Sequence, residues 1–171
     1  MKNNDIIINR IANSPLITLD LESYIPSDNH TAIDLKNLLF EGLILREKDF
    51  REFINSHDWE KYQDQNVAIH CSTDAVIPSW AYMLITSKLQ PFAKTIHFGT
   101  PDELRDILIK NTISNIDTES YRDKKVVIKG CSKEKVPESA YIEITRLLTP
   151  VVSSIMYGEP CSTVPIYKRK K

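Results

Sequence analysis

The sequence predicts an α/β fold: a single domain over residues 1–171, with an internal duplication of a helix–strand–helix–strand unit giving a pseudo-twofold sheet. Two observations carry this. Residues 55–101 and 114–160 align without a gap at an offset of 59, with sixteen identical pairs over 47 positions. Self-similarity at a fixed spacing marks a repeated structural unit. The identities also fall where they shape structure. Pro78/Pro137 and Pro91/Pro150 bracket helical stretches, Val67/Val126 and Ile69/Ile128 lie in short apolar runs, and Gly99/Gly158 close a second run. Strand, helix and strand at this connection length form a parallel crossover.

In chain order, Leu16–Leu21 alternates as a strand does, and Pro26–Asn29 has turn chemistry. Asp34–Phe40 reads as a short helix stopped by Gly42, and Leu43–Leu45 as a short strand. A helix over about 46–56 puts Phe50, Phe53 and Ile54 on one face. A polar connector to Tyr62 leads to the strand Val67–Ile69 and the polar turn Cys71–Ala75. Pro78 sits where a first-turn proline starts a helix, which Pro91 stops. Trp80–Ile85 is apolar almost all round, so this helix is expected deep in the core. Thr95–Phe98 is the next strand. The second copy repeats the course: a helix over about 101–111, a connector to Tyr121, Val126–Ile128, a turn over 130–135, a helix after Pro137 and a strand at Ser154–Tyr157. Residues 161–167 read as a loop or edge segment, and 168–171 as a solvated basic tail.

Composition bounds the function. Apolar content of 42% and charged content of 26% are ordinary for a globular protein. A net charge of −1 gives no positive field for nucleic acid or acidic membrane. No apolar run approaches the roughly 20 residues that cross a bilayer. The short run Ile6–Ile8 meets Asn9 and Arg10 instead of a secretory pattern, so the cytoplasm is the expected compartment. Three cysteines there are not a disulfide framework.

Those cysteines are the candidate chemistry. Cys71, Cys131 and Cys161 are each followed by serine, the first two stand in strand-to-helix turns, and the carboxyl edge of an open α/β sheet is where ligands bind. A thiol upstream of a helix start is expected to ionise more readily, and the thiolate is both nucleophile and metal ligand. The sequence therefore points to Cys71, Cys131 and Cys161 as ligands of zinc, iron or an iron–sulphur cluster. Asp74, His70, Glu134 and Glu159 are candidate helpers, though strand alternation turns His70 away from Cys71. Three thiolates leave one coordination position open, which suits transfer. The competing readings are a thiol enzyme or sulphur carrier, and an interaction module whose cysteines only pack. His57 and His97 read as structural, and Tyr82 and Tyr141 as core residues with satisfied hydroxyls.

The phrases Leu45–Arg51, Cys71-Ser72-Thr73-Asp74 with Pro78–Tyr82, and Pro137–Tyr141 with Tyr157–Thr163 resemble a Bacteroidetes family, the domain-of-unknown-function family numbered 2480. The resemblance runs over most of the chain from about residue 30. It brings no established activity. It implies a link to iron–sulphur cluster assembly proteins as partners, because members are encoded near assembly genes.

Overall fold

The computed structural model describes residues 16–26, 29–130, 135–159 and 161–170. The strands are β1 (Leu16–Asp20), β2 (His30–Asp34), β3 (Asn66–His70), β4 (Thr95–Phe98), β5 (Lys125–Lys129), β6 (Ser154–Glu159) and β7 (Ser162–Lys168). The helices are α1 (Glu47–Ser56), α2 (Ser79–Leu89), α3 (Pro101–Ser114) and α4 (Glu138–Leu148). Mixed α/β architecture is thus what the chain forms. It divides into two compact units, Ser27–Ile107 and Met1–Pro26 with Leu108–Lys171. No helix among the described residues is long and apolar enough to cross a membrane.

In the unit of residues 27–107 the sheet order is β2-β3-β4, every pair parallel. The crossover helix α2 buries Ala81, Ile85 and Leu89, four apart and so on one helical face. They meet Val67 and Ile69 of β3 and Phe50 and Ile54 of α1 in one core. The other unit has the order β1-β5-β6-β7, parallel until the last strand, which runs antiparallel. Here α4 buries Ala140, Ile144 and Leu148 at the same spacing against Val126, Ile128 and Ile155. Burying one such Leu or Ile contributes about 1.5–3 kcal/mol, so each helical stripe outweighs the surface ion pairs.

Several expectations are corrected. The two crossovers do not share a sheet: β3 and β4 lie in one, β5 and β6 in the other. A central parallel strand must pair on both edges to satisfy its backbone polar groups. For β3 the outer partner is β2, and for β5 it is β1, so each crossover takes its own flanking strand. The strand β2 was hidden because His30-Thr31-Ala32-Ile33-Asp34 carries one large apolar side chain. The helix expected from Asp34 is only a 3-10 turn, Leu35–Leu38, capped by the Asp34 carboxylate. Leu43–Leu45 forms no strand beyond an isolated bridge from Ile44 to Phe40. Despite its apolar sequence α2 is not enclosed, for Met83 is 70% exposed. Residues 162–168 are an edge strand, and the tail begins anchored: Arg169 binds the Asp123 carboxylate and the Val151 carbonyl.

Matched positions carry matched backbone. Asp64 and Asp123 both adopt φ 58°, a left-handed conformation that Asp tolerates better than most residues. Their N–H groups donate to Phe92 O and Val151 O, each at 2.9 Å.

One buried carboxylate is tied to packing. Glu143 on α4 is 6% exposed and accepts from Arg146 and from Ser114 Oγ at 3.0 Å. The Arg146 hydrogen bonds outweigh burial, and with Ser114 they draw the carboxyl down to about 2. A depressed folded pKa contributes stability above the unfolded value, about 4.3, that is lost as pH falls toward 2. Glu143→Gln is therefore expected to flatten the fall in urea midpoint between pH 5 and 2. An unchanged pH profile would refute this assignment. Ile85→Ala and Ile144→Ala are each expected to cost about 2–5 kcal/mol in urea unfolding.

Candidate functional site

The carboxyl ends of the parallel strands carry the reactive side chains, as open α/β sheets dictate. In the unit of residues 27–107, β3 delivers Val67 and Ile69 to the α2 face, leaving Ala68 and His70 on the other. Cys71 follows and returns to the α2 side, where it is half-buried against the core. Tyr82 lies there too; burial first, then the Cys71 thiol, raises its pKa. Its ring meets Phe98 edge to face at 5.2 Å.

Asp34, at the end of β2, pins the loop that follows. Its carboxylate accepts the Ser72 hydroxyl at 2.6 Å, the Ser72 N–H at 3.0 Å and the Lys36 N–H at 3.0 Å. Burial works to raise the Asp34 pKa, but these bonds and the charge of His70 hold it below the ordinary value. The thiol therefore sits beside a fixed point of backbone. Residues 71–78 form a loop before α2 begins at Ser79, so Cys71 is not in the first turn of that helix. The expectation of a thiol adjoining the helix start is corrected accordingly.

A second set occupies the opposite face of the same edge. Thr100 and Glu103 form a capping box at the start of α3: Glu103 Oε2 accepts from Thr100 N at 2.7 Å, and Thr100 Oγ1 accepts from Glu103 N at 3.3 Å. These bonds lower the Glu103 pKa, with His97 and His70 adding smaller contributions. Gly99, at φ 144°, lies between the groups. A Cβ there would come within 2.7 Å of both Glu103 Oε2 and His97 Nε2. His97 is thus part of a polar cluster with Glu103, His70 and Asp34, beyond the structural role its sequence context implied.

In the other unit, Lys129 Nζ lies 3.1 Å from the Asp20 carboxylate at the corresponding edge. Tyr141 donates to the Gly130 carbonyl at 2.7 Å, satisfying its hydroxyl as expected. A Cβ on Gly130 would stand 2.8 Å from that hydroxyl. At the offset of 59, Cys71 matches Gly130, and Ser72 matches Cys131. The cysteines of the two aligned segments thus stand one residue out of register. Cys161 is exposed in the turn between β6 and β7, at the carboxyl end of β6. Glu159 ends β6, exposed, and its charge helps raise the Lys129 pKa, after the larger influence of Asp20.

Cys131 and Glu134 lie outside the described residues. Asp74 is exposed in the loop after Cys71, and His70 faces away from the thiol, as strand alternation requires. Cys71 and Cys161 are free thiols. Among the described residues no group of three or more His, Cys, Asp or Glu is placed to hold a metal ion. Sequence reasoning overlooked Asp34, His97 and Glu103. Two signals were available: the recurrence of Leu19-Asp20-Leu21 as Ile33-Asp34-Leu35, and the capping-box spacing of Thr100 to Glu103.

Parallel β–α–β crossovers with thiols at their carboxyl ends define an α/β protein with a thiol-bearing sheet edge. The chain belongs to the family described as protein of unknown function (DUF2480), whose model matches residues 5–169. No curated protein and no solved structure matches it.

Exposure and anchoring make a thiol prediction. Cys161 is expected to react with a disulphide reagent before Cys71, as followed by mass spectrometry of modified peptides. Asp34→Ala should speed Cys71 several-fold by releasing Ser72 and leave Cys161 unchanged. Equal rates at Cys71 in both proteins would show that the Asp34–Ser72 bonds do not hold it.

Proposed function

We propose that this protein is a cytoplasmic thiol-dependent accessory protein whose working groups are Cys71, Cys131 and Cys161. The observation that carries the reading is positional: Cys71 and Cys161 follow the carboxyl ends of β3 and β6, each a strand in a parallel pair, and in the sequence Cys131 comes two residues after the end of β5. We also read the two crossovers as copies of one unit that have diverged at their edges. The ligand that suits such thiols is zinc, iron or an iron–sulphur cluster, and the partners are iron–sulphur assembly proteins. When bound, the metal would supply a Lewis-acid or transferable cluster centre. The thiols would hold it, and Asp34 would keep Cys71 in place through Ser72.

A second reading is a thiol enzyme or sulphur carrier. It is favoured by the fixed seat of Cys71 beside Tyr82, a partly exposed thiol next to an ionisable hydroxyl. That arrangement needs only one cysteine in action.

Anaerobic purification of the full chain, with elemental analysis and an absorption spectrum, separates the two. The metal reading expects bound zinc or iron, most of it lost in each of Cys71→Ser, Cys131→Ser and Cys161→Ser, with circular dichroism unchanged. Metal-free protein that also fails to take up zinc or iron and sulphide on reconstitution would sink it. Under the carrier reading, incubation with a persulphide donor adds 32 Da-scale sulphur, about one atom, to Cys71 alone.

A further inference from the structure

Away from the thiols, the unit of residues 27–107 has an open-mouthed cavity of about 510 Å³ between the end of α1 and the end of α2, a volume that small-molecule sites share. Its apolar wall is Trp59, 8% exposed, and half-buried Phe92. His57 stands at its edge, its Nε2 hydrogen-bonded to the Tyr62 hydroxyl at 3.0 Å and its ring 4.7 Å from Trp59. Burial, then the charge of Lys61, lowers the His57 pKa, so this ring enters as a neutral group near pH 7. The charged lining is Asp58, Glu60 and Lys88, all exposed and none in an ion pair among the described residues; one Asp58 oxygen accepts the Glu60 N–H at 3.2 Å, which leaves its second oxygen toward the cavity's charged rim.

The other copy is an internal control. At the offset of 59, Trp59, Phe92 and His57 become Thr118, Val151 and Ile116, and Lys88 becomes Leu147. The carboxylates are kept as Asp117 and Glu119. There, Arg122 occupies Glu119 with two hydrogen bonds, at 2.7 and 2.5 Å. The position matching Arg122 is Gln63, which cannot neutralise Glu60. In the second copy Arg122 neutralises Glu119, while Asp117 borders a pocket of about 330 Å³ with no tryptophan, histidine or lysine in its lining. The other leaves opposite charges open around an aromatic wall.

We infer that this cavity binds a small zwitterion of amino-acid type with an aromatic side chain, its ammonium on Asp58 and Glu60 and its carboxylate on Lys88. The ring would lie against Trp59 and Phe92, and neutral His57 would add a further aromatic surface. A free amino acid and the end of a short peptide share this chemistry.

The test titrates isotope-labelled full chain with four probes: L-phenylalanine, phenethylamine, 3-phenylpropanoate and the dipeptide alanyl-phenylalanine. The signals to follow are the Trp59 indole N–H, which donates to Ile54 O, and the amides of residues 58–60 and 87–90. The zwitterions are expected to give saturable shifts there, with dissociation constants about fivefold below those of either half-molecule, the scale of one solvent-exposed ion pair. Lys88→Met should weaken L-phenylalanine about fivefold and leave phenethylamine unchanged, with the rest of the spectrum preserved. Asp58→Asn with Glu60→Gln should weaken the three amines and spare 3-phenylpropanoate. Tighter binding of the dipeptide assigns a peptide terminus, and the reverse a free amino acid. No saturable shift at these signals, or half-molecules binding as tightly as the zwitterions, overturns the inference.

Discussion

In each unit a crossover helix presses one narrow stripe onto the parallel strands of its sheet, and the placing of the edge residues depends on that contact. Ala81, Ile85 and Leu89 meet Val67 and Ile69 in one unit, and Ala140, Ile144 and Leu148 meet Val126 and Ile128 in the other. A small residue at the start of each stripe lets the helix approach the strand closely, while two larger ones fill the space beyond it. Because the helix begins after Pro78 or Pro137, the loop from strand to helix has fixed ends. Those loops, beginning at Cys71 and after Gly130, are where the residue types of interest gather. Loops held by a rigid scaffold are the usual carriers of function.

The corresponding edges of the two units present different groups on similar backbone. Asp20 and Asp34 each cap a 3-10 turn by accepting an N–H two residues on. Asp20 then faces Lys129, whereas Asp34 faces His70 and binds Ser72. Tyr141 closes on Gly130, where a Cβ would stand 2.8 Å from its hydroxyl and displace it, while the matched position holds Cys71 beside Tyr82. The capping device recurs in both units and the groups beside it differ. Selection on the core and on the edge can therefore act separately, since a loop substitution leaves the helical stripe intact.

Electrostatics follow the same division. Arg122–Glu119 and Arg51–Glu47 are exposed pairs of sequence neighbours, each contributing little to stability. Glu143 differs because burial makes its partners, Arg146 and Ser114, obligatory. Glu103 closes the first turn of α3 and at the same time places its oxygen beside His97 and Gly99. A structural cap and a polar cluster are thus one object.

By itself the sequence determined the α/β class, the two crossovers, their parallel strands and the ends of the crossover helices α2 and α4. Local rules suffice for these: apolar runs of strand length, first-turn prolines and stopping prolines act within a few residues. It also located Cys71 and Cys161 at strand ends. Tertiary structure decided the rest. Which strand flanks each crossover could not be read from β2, whose five residues carry one large apolar side chain, because pairing is settled by backbone groups that every residue shares. The exposure of Met83 was hidden for a related reason: hydropathy measures a side chain's preference, not whether another element covers it. Asp34, His70, His97 and Glu103 lie on four elements separated by up to 69 positions in the chain. Only parallel register brings their strand ends to one edge, since hydrogen-bonded alignment between distant segments leaves no local mark in the sequence.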